Sequence, residues 1–273
     1  MKKSILQLII YCCLFFNSKS QELFVYTEPA SNMATGTLGF RMTSSLMKEK
    51  NTAQLNFYML PEIMFGISKK IMIHADGFIS NRNQSLASEG GALYLKYRLI
   101  SNDDVHAHFR LALFSRYAFN NSEIHQPAID LNGHNSGFEF GSIATKLINK
   151  LAISSSVGYV YGSDNINKPW LIEGATNRRA INFTASIGKL FFPKEYISYD
   201  QLNVNGMLEI LGQSNIATGK TYLDFAPSVQ FIIKSRMRVD VGYRFAVSNE
   251  LVRTSPNGGL FRFEYNIFNA LSR

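Results

Sequence analysis

The chain has 273 residues, 46% of them hydrophobic and only 18% charged, with 21 Phe and 13 Tyr against one Trp and a formal net charge of +8. Its mean hydropathy is close to zero, at −0.05. A disordered chain needs low hydrophobicity and high charge, a coiled coil needs Ala, Glu, Lys, Leu and Arg to dominate, and a helical membrane protein needs apolar runs of about 18 residues or more; beyond the N-terminus this sequence meets none of these conditions. Its apolar residues are therefore interleaved with polar ones.

Lys2 and Lys3 precede a nearly unbroken apolar stretch from Ile5 to Phe16, and Asn17, Ser18, Lys19 and Ser20 follow. A basic start, an apolar middle and a small-residue end predict a secretory signal peptide over residues 1–20. Both cysteines, Cys12 and Cys13, fall inside it, so the exported chain has no disulfide and no thiolate metal ligand. Leu14, Phe15 and Phe16 follow the cysteines, which argues against a lipoprotein. Removing the leader takes away Lys2, Lys3 and Lys19 and no acid. With no basic cluster left, nucleic acid is not an expected partner.

Residues 21–33 come next and are expected to form an N-terminal segment on the periplasmic side. Leu23 to Tyr26 is apolar, and Pro29 interrupts regular pairing. The segment has two expected dispositions: tucked into or across the mouth of a barrel, or free as a flexible leader.

From residue 34 onward the pattern has period two, which marks strands. Leu55, Phe57, Met59, Pro61, Ile63 and Phe65 share a face, as do Ile71, Ile73, Ala75, Gly77 and Ile79. Leu93, Leu95, Tyr97 and Leu99 alternate with Tyr94, Lys96 and Arg98, and Phe109, Leu111 and Leu113 alternate with His108 and Arg110. Near the end, Val239, Val241 and Tyr243 alternate with Arg238, Asp240 and Arg244, and Phe263 and Tyr265 alternate with Arg262 and Glu264. Twelve strands are expected, near 34–45, 53–66, 71–81, 90–100, 105–119, 136–148, 151–162, 178–190, 200–212, 221–233, 237–248 and 258–269. Short turns at 68–70, 101–104, 149–150 and 234–236 alternate with mostly longer connections, including 120–135 and 162–177.

An even strand count with alternating short and long connections predicts an all-β fold, a transmembrane antiparallel up-and-down β-barrel of about twelve strands over 34–273. Closure follows because a sheet edge in lipid leaves backbone groups unpaired. A soluble sandwich is the competing fold, but its strands average about 5–6 residues, whereas alternation here often persists for the roughly 9–11 that cross a bilayer. Outward positions also end in aromatics such as Phe65, Tyr97, Tyr117, Phe119, Tyr159, Tyr161 and Tyr265, as at bilayer interfaces. Pro61 and Pro227 occupy matching places in two similar hairpins, and a bulge or protruding region is expected at each, because proline cannot donate to a ladder.

The inward parity collects Glu62, His74, Asp76, Arg98, His106 and His108 near the periplasmic end, Lys96 and Arg110 slightly deeper, and Arg238, Asp240 and Glu264 from later strands. Both signs are present, so salt bridges across the lumen are expected. His106 and His108 on one face, with His74 and Asp76 two strands away, raise a metal reading; the cationic Lys96 and Arg98 between them oppose it, so neither metal nor cofactor is expected.

Residues 28–33 read Glu28, Pro29, Ala30, Ser31, Asn32 and Met33, and further stretches are Leu-Pro-Glu-Ile-Met from Leu60, Ile-His-Ala-Asp from Ile73, Gly-His-Asn-Ser-Gly from Gly133 and Ser-Pro-Asn-Gly from Ser255. In these the chain resembles a little-characterised group of outer-membrane barrels of the Bacteroidota that carry the Glu-Pro-Ala-Ser-Asn-Met stretch just after export cleavage. The two proline-containing hairpins resemble, more distantly, transporter-like barrels of phenol-degradation pathways. These resemblances imply a barrel in the outer membrane of a Gram-negative bacterium, in contact with outer-membrane lipid and the barrel-assembly machinery, and they imply no substrate.

The leading functional expectation is a passive channel or transporter for a small solute through a polar lumen. The second is a barrel anchor whose long outer loops bind a ligand or partner. The third is a membrane-embedded hydrolase. A hydrolase needs a nucleophile and a base in reach of one another; His134 and Ser136 are the nearest loop pair, and no Gly-x-Ser-x-Gly elbow is present. No enzyme is expected.

Overall fold

The computed structural model describes residues 24–50, 54–82, 85–104, 107–170, 178–194, 198 and 200–271. The expected leader, residues 21–23 and His106 lie outside the described residues. Twelve strands follow in order: β1 (Leu38–Lys48), β2 (Leu55–Gly66), β3 (Ile71–Ser80), β4 (Ala87–Asp103), β5 (Ala107–Asn120), β6 (Ser136–Ile148), β7 (Leu151–Ser163), β8 (Arg179–Phe192), β9 (Asn203–Asn215), β10 (Thr221–Ile233), β11 (Met237–Asn249) and β12 (Asn257–Ile267). Each pairs antiparallel with its sequence neighbours, and β1 closes the ring on β12 from Leu38↔Ile267 to Lys48↔Asn257. Among the described residues no helix forms.

The alternation decides which way each side chain points, and its sense is the reverse of a soluble protein's. On β4, Leu93 is 62% exposed while Lys96 is completely buried. Phe40, Leu46, Ile63, Leu113, Phe140, Ile153, Val241 and Phe261 continue the exposed apolar surface around the ring. A monomeric soluble protein rarely exposes apolar patches beyond a few hundred Å²; a belt around a closed sheet is what a barrel presents to lipid. The two ends differ. Residues 67–70, 149–150 and 234–236 connect strands tightly at one end, with Asn149, Lys234 and Ser235 in the left-handed backbone region that such tight connections demand. The two longest connections, 121–135 and 164–178, lie at the other end.

Strand ends move by a few residues from the alternation limits. β4 extends to Asp103 because a register shift between Arg98 and Ile100 lets Ser101, Asn102 and Asp103 pair with Arg110, Phe109 and His108. β1 begins at Leu38 rather than 34, since Gly36 and Thr37 are used in bonds to Gly66 and Ala34. The bulge expected at Pro61 is absent: the ladder to β3 passes from Met59↔Ile79 to Glu62↔Asp76 in one register. It omits Leu60 and Pro61, and Gly77 faces the Pro61 ring, where a Cβ would sit 3.2 Å from Pro61 Cγ. At Pro227 the ladder to β11 likewise skips Ala226 and Pro227 in register, and the nearest shift lies between Leu223 and Asp224.

Candidate functional site: an occupied lumen

The lumen is filled from both ends by the chain itself. From the short-turn end, residues 24–33 run across the interior. The carboxylate of Glu209 on β9 accepts the backbone N–H groups of Val25, Tyr26 and Thr27, each at 2.9 Å, and the Thr27 hydroxyl at 2.7 Å. These bonds satisfy both oxygens of a fully buried group, and three successive N–H groups can converge on one carboxyl group only from an irregular, non-strand backbone. Further along, Ala30 donates its N–H to Thr145 Oγ1 at 3.0 Å, Ser31 Oγ accepts from Arg110 at 2.8 Å, and Lys96 Nζ donates to the Pro29 carbonyl at 2.8 Å. Ala30 is fully buried, and Asn32 is buried beside it in the chain; Met33 gives its N–H to Met72 Sδ. The whole Glu28–Met33 stretch thus belongs to the barrel interior.

Most of the charges predicted from parity lie in three ion-paired groups around this segment. Arg41 on β1, buried, donates to Glu28 at 2.8 Å, Glu62 at 3.0 Å and Glu264 at 2.8 Å. Glu264 also meets Arg238 at 3.0 Å, and Arg238 meets Asp240 at 3.1 Å. His74 Nδ1 lies 2.8 Å from Glu62, and Lys96 Nζ lies 3.3 Å from Glu28. Arg110 and His108 both turn to Asp103, at 2.9 and 3.2 Å. Asp76 binds Arg116 at 3.0 Å. Arg98 is partly buried near the short-turn end, its backbone N–H bonded to the Lys70 carbonyl. Ligand atoms of Glu28, Glu62 and His74 lie within 4.8 Å of one another, a donor set a cation would fit. Arg41 and Lys96 already supply positive charge to these carboxylates, and a metal ion there would meet both.

From the long-loop end, residues 121–135 fold inward. Ile124, Ile129 and Leu131 join Phe78, Ala92, Ala118, Val160, Trp170 and Ala180 in an apolar cluster inside the ring. Gln213 on β9 fixes the loop twice: Ile129 N–H donates to its Oε1 at 2.9 Å, and its Nε2 donates to the Ile129 carbonyl at 2.7 Å. The second anchor is electrostatic. Arg82 contacts Glu89, Ser122 Oγ and His134 Nδ1 together. Burial and the adjacent Arg82 guanidinium push the His134 imidazole down to about 3, against a smaller opposing pull from Asp130. Ser136 Oγ is bonded to the Asn120 backbone on both sides, so His134 and Ser136 face different partners.

Between the two stoppers lies a cavity of about 360 Å³. Val25 to Glu28 line it from one side and Gln126 to Asn132 from the other. Of the residues predicted for the lumen, Glu62 and Asp76 border it, as does Glu28 of the N-terminal stretch; His74, Lys96, Arg98, His108, Arg110, Arg238, Asp240 and Glu264 do not. Its walls instead carry Arg116, Glu139, Arg244, Arg253 and Arg262, with Tyr58 and Tyr94. Apart from Arg253, which lies in the connection between β11 and β12, these are strand residues of the same inward parity that sit closer to the long loops, and parity alone does not rank depth. Arg253 is held by both oxygens of Asp224 and stacks 3.8 Å from the Tyr222 ring centroid.

Fold and lumen together define a closed twelve-stranded barrel whose interior is occupied by its own N-terminal segment and one inward loop. No protein-family model matches the chain, and no curated protein matches it. Among solved structures, the chain is similar to the outer-membrane phospholipase A of Escherichia coli, at 11% identity and a TM-score of 0.45, over 92% of this chain and 95% of that one. It is also similar to the NanC porin, at 7% identity and a TM-score of 0.48 over 83% and 97%, and to Pseudomonas aeruginosa OprD, at 6% and 0.40 over 89% and 99%. Likeness at this level transfers no substrate, activity or residue role.

Proposed function

We propose that the protein is an outer-membrane channel of a Gram-negative bacterium that admits a small polar solute through the mid-lumen cavity. The observation that carries the reading is that cavity: a space of about 360 Å³, lined by charges of both signs, left between two inward-folded segments of the same chain. The apolar outer belt and the leader-like N-terminus support placement in the outer membrane, among its lipids, after insertion by the barrel-assembly machinery. The resemblance of the Glu28–Met33 stretch to the Bacteroidota barrels agrees with that placement. The N-terminal segment and the 121–135 loop set the size limit, so flux is small and selective rather than general.

Reconstitution into planar bilayers and liposomes tests the reading. Discrete low conductance and liposome swelling by small solutes are expected, with exclusion of solutes much larger than the cavity. Electrically silent protein in liposomes that also take up no small neutral solute overturns it.

A further inference from the structure

Two charges on nearly opposite walls of the cavity are poorly compensated. Arg244 on β11 is partly exposed to the lumen; its closest carboxylate is Asp224, at 3.6 Å, and its buried Nε has no hydrogen-bond partner among the described residues. Asp224 is already engaged by Arg253 through both oxygens. Below Arg244, Arg262 reaches Asp240 only at 4.0 Å, its Nε going to Thr43. Between them the strand carries Gly242, and the Tyr26 ring packs there, its buried hydroxyl without a hydrogen-bond partner. Two guanidinium groups and a phenol donor therefore point at one region, where the nearest carboxylates, Asp224 and Asp240, lie 3.6 and 4.0 Å away and are each shared with a second Arg.

The facing wall has the opposite character. Glu139 on β6, partly exposed to the cavity, accepts one hydrogen bond, from Asn182 at 2.8 Å, and forms no ion pair among the described residues. Asp76 nearby is paired through one oxygen with Arg116, and its Oδ1 has no hydrogen-bond partner. One Arg for two carboxylates leaves this wall negative, as one Asp for Arg244 and Arg253 leaves the other positive. Uncompensated charges held out of bulk water are costly unless a partner arrives.

We propose, on the basis of the channel reading above, that the cavity binds a zwitterionic solute of short-peptide length, with its carboxylate toward Arg244 and Tyr26 and its ammonium toward Glu139. β6 and β11 stand nearly opposite in the ring of twelve. A strand spacing of about 4.8 Å and a tilt of about 40° make such a ring roughly 24 Å across between backbones. After an Arg and a Glu side chain reach in from the two walls, about 10 Å remains, and at about 3.3–3.6 Å per extended residue this spans roughly three residues. A single amino acid, whose charges are adjacent, reaches only one wall. The cavity volume corresponds to about a dozen waters, enough for such a molecule without large side chains.

The test is calorimetry on the full-length barrel in detergent with triglycine, N-acetyltriglycine and triglycinamide. Triglycine is expected to bind at least tenfold tighter than either blocked relative. Arg244→Gln is expected to weaken triglycine and N-acetyltriglycine and leave triglycinamide unchanged. Glu139→Gln is expected to weaken triglycine and triglycinamide and leave N-acetyltriglycine unchanged. Arg244→Lys, which keeps the charge, is expected to restore most of the loss, and the gel shift on boiling reports that each variant is folded. Triglycine binding no tighter than both blocked forms, or no binding by any of the three, overturns the inference. Swelling of liposomes by urea separates this from the channel reading: urea entry without zwitterion preference overturns the inference alone, and exclusion of urea overturns the channel.

Discussion

Glu209 and Thr27, 182 residues apart, are joined twice in the barrel interior: the Thr27 N–H and hydroxyl both reach Glu209 Oε2, at 2.9 and 2.7 Å. With Val25 and Tyr26 on the other carboxylate oxygen, this makes Glu209 the principal clasp of the N-terminal segment. Each buried donor left without its acceptor costs about 1–3 kcal/mol, so Glu209→Ala is expected to release residues 24–28 while the strand ladder, built from backbone bonds, persists. The outcome to measure is faster hydrogen exchange at Val25, Tyr26 and Thr27 with a larger single-channel conductance. Unchanged exchange at these three amides contradicts the assignment.

Arg41 answers three carboxylates at once, Glu28, Glu62 and Glu264, from a nearly inaccessible position. Removing one member of a buried ion network leaves the others uncompensated and costs about 3–5 kcal/mol. Arg41→Met is therefore expected to lower the urea midpoint of the refolded barrel markedly. Arg41→Lys, which keeps the charge but lacks the planar fork, is expected to fall between the two. Equal midpoints for Met and wild type reject the network as a source of stability.

Much of this architecture is legible in the sequence because it is local. Leu93 outward and Lys96 inward follow from alternate pleats, and the tight turns at 149–150 and 234–236 follow from where alternation breaks. The Arg98–Ile100 register shift is not legible, since a bulge keeps the composition of its strand and only changes the partner. Parity identified Glu62, Asp76, Arg238 and Glu264 as inward, yet it does not give height in the barrel, and height separates Arg238, Asp240 and Glu264 from the cavity bordered by Arg41, Glu62, Arg244 and Glu139. The inward fold of residues 121–135 left a trace: Ile124, Ile129 and Leu131 are apolar residues in a connection that otherwise reads as a solvated loop. The Glu209 clasp left none, because a carboxylate on one strand and a backbone turn at the far end of the chain share no pattern.

The inward loop carries a pH dependence with a defined sign. Burial and Arg82 hold His134 down to about 3, whereas a free histidine titrates near 6.5. Its folded value lies below its released value, so the released loop binds the extra proton between these limits. Its contribution to loop docking is complete above about pH 6.5 and is lost progressively as pH falls toward 3. Conductance is expected to rise over that window as the loop leaves the lumen. His134→Asn, which cannot take up the proton, is expected to flatten the rise. A rise of equal size and midpoint in the variant removes His134 as the titrating group.

Gly66 tests how the N-terminal segment is threaded into the first strand. A Cβ at this position would fall 2.2 Å from the Ala34 carbonyl oxygen, and that atom is backbone, unable to rotate aside. Gly66 also accepts the Gly36 N–H at 2.7 Å and donates to the Thr37 carbonyl at 3.0 Å, so the two chains touch along their backbones. Gly66→Ala is expected to push residues 33–36 off β2 and to loosen Met33 and Ser31 behind them, while the β1–β2 ladder from Leu38 onward closes as before. Limited proteolysis distinguishes this from global damage: cleavage between residues 30 and 37 is expected to appear in the variant, with the heat-dependent gel shift of the closed barrel retained. A variant that resists cleavage there as well as wild type shows that the close approach at Gly66 does not position the segment.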